Sequence, residues 1–582
     1  MSQRLAFLIG VTGHRKLGEE NRPAIKSAVR KIFTDLHEKY PQTSFLLLSP
    51  LAEGADRLVA EVALELAADD SFQATIELVV PLPWLRAVCE NLLHRTGERS
   101  EFDGLLNQAT QIIEMPLVEG ITAEEIVNSE EARAKQYREV GRFIARHSQM
   151  LIALWDGVRE PEGGTARVIR WQQEGADAPF IKTQNSLDEP ECGPVYHIAV
   201  PREHSKPELK AGERNTLYPK HGRDTDKDKD KDKVESYFHN MWSSINDFNR
   251  DISVDTTSFQ SRVSQSKDWV ILEQHQSQLY EQHQRLLSLY AAADAAALDN
   301  QKKKNRAIGG LFFLVGVAVV CFELYTHLLI NWWELLIAYI VFLSAGVGLH
   351  RFVTRKKYHD KFIDYRSLAE ALRVQFFWRL AGLPLTVSDH YLRTVRSELD
   401  WIRQAVRSSQ LLTQAHSSLE QEYVQQNQKQ IFNLIQKRWV EDQLNYYERT
   451  AQKNKETAHR WEWWITLCFR TAISLAVVML LIHLKTEKMN HILAVLVFIA
   501  AAGAALAHEF SEKAAFSVLA RRYKWMHSLF ATAHKRLAEN VESSQYEAAQ
   551  EIIQLLGEDA LIENADWVIQ TRHRQPELPA PG

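Results

Sequence analysis

The chain has 582 residues, with 69 Lys and Arg against 74 Asp and Glu and a net charge of -5. This length suggests two to four domains, and the charge balance gives no general attraction to nucleic acid, so we expect no nucleic-acid partner. The 4 cysteines are far apart and lack metal-ligand or disulfide-framework spacing, which predicts a reducing interior without a metal or other cofactor.

Residues 1–205 alternate short apolar runs with amphipathic helical patterns, which predicts one α/β domain. The apolar runs that we interpret as strands are Leu5–Ile9, Phe45–Leu48, Ile76–Val80, Ile112–Glu114, Met150–Trp155 and Val195–Val200. Helical patterns lie between them, for example at Ala24–Glu38, Arg57–Ala67 and Glu131–Arg146. Continuous apolar strands that alternate with helices predict a parallel sheet covered by helices on both faces.

Glycine-containing turns follow three of the predicted strands. Their candidate ligand-binding residues are Gly10, Thr12, Gly13, His14 and Arg15 after the first strand, Glu53, Gly54, Ala55 and Asp56 after the second, and Asp156, Gly157, Gly163, Gly164 and Thr165 after the fifth. Ligands of open α/β sheets bind outside the carboxyl ends of the strands, where glycine lets backbone N–H groups approach a phosphate. A single such loop is explained by a tight turn alone. Three on one sheet edge predict a binding crevice for a nucleotide-type ligand.

The side chains in these loops suit the parts of a nucleotide. Thr12 and Thr165 offer hydroxyl donors, Arg15 is a partner for a phosphate, and Glu53 or Asp56 can accept a hydrogen bond from a ribose hydroxyl. A helix that begins after such a loop adds a partial positive charge. None of the loops has the Walker A or GxGxxG pattern.

These motifs resemble those of the SLOG superfamily of Rossmann-like domains. The resemblance covers about the first third of the chain and is carried by Ile9-Gly-Val-Thr-Gly-His-Arg15, Leu51-Ala-Glu-Gly-Ala-Asp-Arg57, Pro81-Leu-Pro83 and Leu151-Ile-Ala-Leu-Trp-Asp-Gly157, with Gly163-Gly-Thr165 after it. The superfamily includes DprA-type and LOG-type domains and the ligand-sensing domain of melastatin-type TRP channels. The resemblance implies a Rossmann-like fold that binds a nucleotide-derived ligand.

One departure from the LOG-type pattern bears on catalysis. LOG-type phosphoribohydrolases have a PGGxGTxxE motif whose Glu is catalytic, whereas this chain has Pro161-Glu-Gly-Gly-Thr-Ala-Arg-Val168. Without a placed carboxylate, cleavage of an N-glycosidic bond lacks its acid–base group. We therefore expect binding without turnover, while Glu53 and Asp56 remain possible substitutes.

Residues 206–233 have the composition of a charged flexible linker or an inserted loop. The alternating Asp and Lys residues from Asp226 to Lys233 include no apolar side chain that could offset the entropy of ordering. From residue 234 to 305 the pattern becomes helical, which predicts a helical connector.

Four long apolar runs follow, and we interpret them as transmembrane helices. They are Ile308–Phe322, Leu335–Leu349, Trp463–Leu484 and Ile492–Ala507. Most are near the short limit for spanning a bilayer, so buried helices of a soluble bundle are the alternative. The runs are apolar on all sides, Trp residues cluster at their ends, and basic residues flank them, which favours the membrane. Because basic residues crowd the outer flanks of each hairpin, both termini are predicted to be cytoplasmic.

The two apolar hairpins repeat at a fixed distance. His350, Phe352 and Tyr365 of the first correspond to His508, Phe510 and Tyr523 of the second, since 508 − 350, 510 − 352 and 523 − 365 are all 158. A shared register without a gap predicts duplication of one unit, which consists of two apolar helices and a trailing helix. The predicted units are residues 306–380 and 461–570, with a cytoplasmic helical region at 381–460 between them and a tail at 571–582.

Two transmembrane helices followed by a helix such as Tyr365–Trp378 resemble the SLATT effector family. That family is associated with bacterial nucleotide-signalling conflict systems, and the resemblance implies membrane pores. The whole chain is therefore predicted to have an α/β Rossmann-like domain followed by an all-α membrane region with four transmembrane helices in two repeated hairpins and long cytoplasmic helices.

The combined resemblances imply an oligomeric, pore- or channel-forming effector in the bacterial inner membrane. Its ligand would be a cyclic oligonucleotide or an ADP-ribose species derived from NAD, its second partner is the lipid bilayer, and its role would be antiphage defence. One alternative is a membrane-anchored nucleotide hydrolase, LOG-like or NAD-degrading, that uses Glu53, Asp56 or Asp156. A DNA-binding anchor is another, because DprA-type relatives bind DNA.

Overall fold

The computed structural model describes residues 4–89, 99–158, 164–175, 191–202, 209–219, 227–254, 256–272, 276, 279–327, 329, 331–390, 396–411, 426–482 and 487–572. The chain forms two compact units, each built from three separate segments. The first unit consists of Met1–Thr257, Gln278–Leu289 and Thr386–Glu422, and the second of Ser258–Ser277, Tyr290–Leu385 and Tyr423–Gly582. The predicted connector and the predicted cytoplasmic region are therefore each divided between the two units.

The strands are β1 Ala6–Gly13, β2 Ser44–Leu48, β3 Ile76–Leu82, β4 Gln111–Glu114, β5 Met150–Trp155, β6 Val195–Ala199 and β7 Arg214–Leu217. The helices from the amino terminus to the first apolar hairpin are α1 Arg22–Lys39, α2 Ala55–Ala67, α3 Arg99–Leu106, α4 Ala123–Asn128, α5 Glu130–His147, α6 Gly164–Glu174, α7 Lys227–Ile252, α8 Thr257–Val270, α9 Glu281–His327 and α10 Trp333–Lys356. Those that follow are α11 Tyr358–Leu380, α12 Val387–His390, α13 Arg396–Leu411, α14 Gln428–Ile435, α15 Asp442–Ile482, α16 Glu487–Ala514, α17 Phe516–Glu542 and α18 Tyr546–Arg572. A π-helical turn, Gln436–Glu441, joins α14 to α15.

The first unit contains a seven-stranded sheet in the order β4-β3-β2-β1-β5-β6-β7. Neighbouring strands from β4 to β6 are parallel, and β7 pairs with β6 in the antiparallel direction. The six predicted strands and the helices between them are confirmed. The edge strand β7 was missed, because Arg214–Leu217 is short and polar.

Helices cover both faces of this sheet, because successive residues of a strand point to opposite sides. Leu8 belongs to a buried cluster that includes Ile144 of α5 and Ile169 of α6. On the other face, the ring of Phe7 lies 6.1 Å from that of Trp242 in α7. The near-continuous apolar strands are thus explained by burial on both sides, as a parallel sheet requires.

The segment predicted as a flexible linker contains regular structure. The strand β7 lies within residues 206–233, and α7 begins at Lys227, inside the alternating Asp and Lys run. Residues 206–208 and 220–226 lie outside the described residues. The composition of residues 206–233 carries no sign of the pairing of β7 with β6.

The amino end of β1 is held by helices that come from distant parts of the chain. The side-chain amide of Asn249 in α7 donates to the carbonyl of Leu5 at 2.9 Å and accepts from its N–H at 2.8 Å. Trp401 of α13 packs against Phe248 of α7, and Arg285 of α9 pairs with Glu77 of β3 at 3.2 Å. Three helices therefore meet at the amino edge of the sheet.

In the second unit, four helices are long and apolar enough to cross a membrane. They contain the four predicted apolar runs, within α9, α10, α15 and α16, although residues 483–486 lie outside the described residues. Only 6% to 17% of their most apolar segments is buried inside the protein. Large exposed side chains include Phe313, Ile473 and Leu480, at 66%, 63% and 72% exposure. These surfaces are much larger than the apolar patches of soluble proteins, which argues against a buried bundle.

The predicted duplication has a backbone counterpart. Lys357, between α10 and α11, has φ 53 and ψ 34, and Ala515, between α16 and α17, has φ 52 and ψ 35. Their separation, 515 − 357, is again 158 residues. Both are non-glycine residues in the left-handed region, which is rare for residues with a Cβ. The second helix of each hairpin thus ends at the same position, and the trailing helix begins there.

The trailing helix α11 is the centre of the second unit. Nearly all of its residues from Phe362 to Leu380 are buried, including the charged Glu370 and Arg373, which pair with each other. Its Trp378 donates to the carbonyl of Ile553 in α18 at 3.1 Å. The charged side of this helix is thus buried together with its apolar side, because ion pairs within the unit compensate the buried charges.

The left-handed residue Ala515 can be tested by comparing glycine substitutions at two adjacent positions. Ala515→Gly should leave stability unchanged or raise it by up to about 1 kcal/mol, because relief of left-handed strain offsets the added chain entropy. Ala514→Gly, at the end of α16, should lower stability by up to about 1 kcal/mol. The midpoint of thermal unfolding in detergent measures both variants. Equal losses at the two positions would contradict the bend at Ala515.

Candidate functional site

The candidate site lies where the strand order of the sheet reverses. From β1 the chain proceeds through β2, β3 and β4 to one edge, and then through β5, β6 and β7 to the other. The carboxyl ends of β1 and β5 are neighbours, with Gly13 beside Leu154. In open α/β sheets, ligands bind in the crevice at such a reversal. The structure therefore brings the loops after β1 and β5 together at this position.

The loop that connects β2 to α2 packs against the loop after β1. The N–H of His14 donates to the carbonyl of Leu154 at 3.1 Å, and the N–H of Ala55 donates to the carbonyl of His14 at 3.1 Å. A Cβ on Gly13 would overlap the Cβ of Ala55, and a Cβ on Gly54 would overlap the backbone of Arg15. These two predicted glycines are therefore accounted for by the close packing of the loops.

Three predicted turn residues belong to the strand instead. The strand β1 continues to Gly13, so Gly10, Thr12 and Gly13 lie within it, and Gly10 and Thr12 are buried. A Cβ on Gly10 would overlap Ser148 and Ile144, at the end of α5. Gly10 lies about 10 Å before the end of the strand, and helix packing explains it without a ligand. The predicted strand end at Ile9 was wrong because glycine was interpreted as the start of a turn.

The glycines after β5 have a different environment. Among the described residues, no atom lies within 4 Å of a Cβ added to Gly157 or Gly164, and both glycines are exposed. Gly157 has φ 82, and Gly164 is the first residue of α6, followed by the half-buried Thr165. Gly163 lies outside the described residues. These open glycines leave the backbone accessible to a ligand, in contrast to Gly13 and Gly54.

Asp156 organises the loop after β5. Its backbone N–H and its Oδ1 atom lie 3.2 Å and 3.3 Å from Nε2 of His14. The Oδ1 atom of Asp156 accepts the N–H of Val158 at 3.0 Å, and Oδ2 lies 3.5 Å from the guanidinium of Arg202. Both carboxylate oxygens of this buried residue are thus engaged within the protein.

Arg202 was missed by the sequence analysis. It lies in the loop directly after β6 and is 47% exposed, so it adds a cationic group at the same sheet edge. The sequence contained one signal for it, because Pro201 and Arg202 directly follow a predicted strand, as Gly10 does. Arg202 was not predicted because no glycine lies beside it.

Arg15 lies beside an aromatic pair. Its guanidinium carbon is 5.4 Å from the centroid of the Tyr137 ring, within the range of a cation–π contact. Tyr137, on α5, packs edge-on against Trp84 with ring centroids 5.3 Å apart. Arg15 itself is exposed. The sequence indicated the arginine but not the aromatic side chains, which come from distant positions.

The two carboxylates of the second loop differ in environment. Glu53 is exposed, whereas Asp56 is buried in the first turn of α2. Burial raises the pKa of Asp56 from its ordinary 3.8 to about 7, although a hydrogen bond from the Ala52 backbone and the charges of Arg15 and Arg57 oppose the shift. Asp56 therefore changes its protonation state close to neutral pH.

A second group of charged side chains lies beyond the hairpins, in the second unit. Arg366 of α11 pairs with Asp294 of α9 at 2.7 Å, and Arg522 of α17 pairs with Glu563 of α18 at 2.6 Å. Burial raises the pKa of Glu563, opposed by Arg522. The repeated tyrosines adjoin these arginines. Tyr365 is buried, and Tyr523 is half-buried beside two other tyrosines of α15, Tyr446 and Tyr447.

Among the described residues, no group of three His, Cys, Asp or Glu side chains could hold a metal ion. No protein-family model matches the chain, and no curated protein matches it significantly.

The protonation of Asp56 should be visible in the stability of the protein. Its raised pKa means that the folded protein binds an additional proton between about pH 4 and pH 7, so this residue lowers stability as the pH rises through that range. Asp56→Asn should remove this loss, which amounts to a few kcal/mol. Thermal unfolding midpoints between pH 4.5 and 8 measure the effect. The matched control is Glu53→Gln in the same loop, and indistinguishable pH profiles for the two variants would contradict the assignment.

Proposed function

We propose that this protein is a membrane effector gated by a nucleotide-derived signal that binds to its first unit. The observation that carries the proposal is the occurrence, in one chain, of a sheet with a reversal of strand order and four membrane-length helices arranged as two repeated hairpins. The first unit would be a Rossmann-like, SLOG-type sensor, and the hairpins would be SLATT-type units that form a pore or channel as an oligomer.

The charges and the accessible backbone at this site suit an anionic ligand that also carries a planar group. Arg15 and Arg202 supply positive charge, and the open backbone at Gly157 and Gly164 suits phosphate oxygens. The amino terminus of α6 adds a partial positive charge. An ADP-ribose or NAD derivative, or a cyclic oligonucleotide, combines these features.

The sheet offers a route from the ligand to the membrane helices. The crevice is at the carboxyl ends of the strands, whereas the first turns of α9 and the helix α13 contact their amino ends, at Arg285 and Gln404. The helix α9 continues into the first apolar run. A ligand that prefers one arrangement of these helices shifts the population toward it, while equal affinity for both arrangements would shift nothing.

The location that fits this proposal is the bacterial inner membrane, with both termini in the cytoplasm. Lys302, Lys303, Lys304 and Arg306 precede the first apolar run, and Arg351, Arg355, Lys356 and Lys357 follow the second, whereas residues 327–333 between the runs include no Lys or Arg. Opening of a pore in that membrane would make the protein an antiphage defence effector.

A membrane-anchored nucleotide hydrolase is the second candidate function, and one observation favours it. Asp56, with its pKa raised to about 7, is suited to exchange a proton near neutral pH. Incubation of the purified protein with NAD, ADP-ribose and cyclic dinucleotides, followed by mass spectrometry, separates the two functions. Unchanged nucleotide recovered from the protein supports the sensor, and a cleaved product supports the hydrolase.

The ligand site can be tested with the same nucleotides by titration calorimetry. Arg15→Ala should weaken binding by about 10- to 150-fold, the equivalent of a charge-assisted hydrogen bond of about 1.5–3 kcal/mol. Gly164→Val should weaken it by blocking access to the backbone. The control is Arg30→Ala, which removes an exposed arginine of the same unit that pairs with Glu65. Wild-type affinity in both site variants would place the ligand elsewhere.

The proposed topology predicts the side of the membrane on which each loop lies. Reporter fusions after residues 330 and 489, in the turns of the two hairpins, should report the outside. A fusion after residue 206 should report the cytoplasm. Extraction of the intact protein into buffer without detergent would refute the membrane assignment itself.

A further inference from the structure

The last two helices of the second unit present outward faces of opposite charge. Along α17 the exposed side chains include Arg521, Lys524, Trp525, Lys535 and Arg536. None of these four basic side chains forms an ion pair within the part of the chain that the structure describes. The basic residues lie at both ends of the face, with Trp525, 54% exposed, between them.

The outward face of α18 has the complementary pattern. Its exposed residues include Glu547, Glu551, Leu555, Ile562 and Asp566. Leu555 and Ile562 are 52% and 39% exposed, and the acidic residues lie on either side of them. The three exposed carboxylates also form no ion pair among the described residues.

The two faces are similar in length and opposite in charge. Arg521 to Arg536 spans 15 positions and Glu547 to Asp566 spans 19, which corresponds to about 22 Å and about 28 Å of helix. Within one chain, α17 and α18 use other positions for packing, such as the buried Phe530 and Ile553. The ion pair between Arg522 of α17 and Glu563 of α18 involves no residue of either outward face, so both faces remain exposed.

We propose that the α17 face of one copy binds the α18 face of a second copy. Opposite charges at both ends favour this contact, and each face adds exposed apolar surface, from Trp525 on α17 and from Leu555 and Ile562 on α18. A symmetric contact of the α17 face with itself would instead place like charges together. A contact between two different faces repeats from copy to copy and closes into a ring when the rotation allows it. The inference rests on the proposed assembly of several copies, but not on the identity of the ligand.

Cysteine cross-linking tests which faces meet. In a chain whose four native cysteines are replaced by serine, Trp525→Cys and Leu555→Cys chains carrying different tags are co-expressed and oxidised in membranes. A cross-linked dimer is expected when the two variants are mixed and not when either is alone. The control is Glu38→Cys, exposed on α1 of the first unit, which should not cross-link. A dimer formed by Trp525→Cys alone, or no dimer although both cysteines react with maleimide, would overturn the proposal.

Charge reversal tests the electrostatic match without assuming a register. One variant carries Arg521→Glu, Lys524→Glu, Lys535→Glu and Arg536→Glu, another carries Glu547→Lys, Glu551→Lys and Asp566→Lys, and a third carries all seven changes. Each single-face variant should dissociate at least tenfold more readily than the wild type in light-scattering measurements in detergent, and the combined variant should reassociate. Recovery in the combined variant also shows that the changes leave the fold intact.

Two outcomes of this experiment would refute the contact. If neither single-face variant changes the mass of the assembly, the faces do not bind each other. If the basic-face variant alone loses binding to vesicles that contain phosphatidylglycerol, the α17 face binds lipid. Because neither measurement involves a nucleotide or permeability, failure here leaves the proposed ligand gating to be judged by its own experiments.

Discussion

The apolar helices of the second unit cannot cover their own side chains, and the rest of that unit is arranged around this constraint. Each large apolar side chain left in water would cost about 1.5–3 kcal/mol, so Ile473, Leu480 and Leu481 alone would oppose folding strongly. A bilayer removes the cost but requires that backbone groups be satisfied within each helix. Charged groups then belong beyond the helix ends, where the ion pairs of α11, α17 and α18 are found.

This constraint also explains which features the sequence revealed. The apolar runs of the second unit and the buried strands of the first are continuous in the sequence, and both were predicted with their approximate ends. The repeat was visible in three residue pairs because a fixed offset does not depend on knowledge of the fold. The left-handed residue at Lys357 had no such signal, since neither Lys nor Ala is favoured in that conformation.

Features that depend on distant residues were not predictable from local patterns. The ion pairs that accompany the burial of α11 join residues that are far apart in the sequence, such as Arg366 and Asp294. The edge strand β7 acquires its conformation from β6 and not from its own composition. In the crevice, the loops at Gly13 and Gly54 were correctly brought to one edge, but the reason for their glycines is contact between the loops. The fold brings three further residues to this edge from distant positions in the sequence, namely Tyr137, Trp84 and Arg202.

The first unit is discontinuous in sequence, and this has a consequence for biosynthesis. Its segment Thr386–Glu422 contains Arg403 and Arg407 of α13, which both pair with Glu191, shortly before β6. A ribosome synthesises this segment only after the whole first hairpin. The nascent sheet therefore remains incompletely covered at its amino edge while that hairpin is synthesised. The first unit can be completed only afterwards, so a chain that ends before residue 386 would lack the segment that finishes this cover.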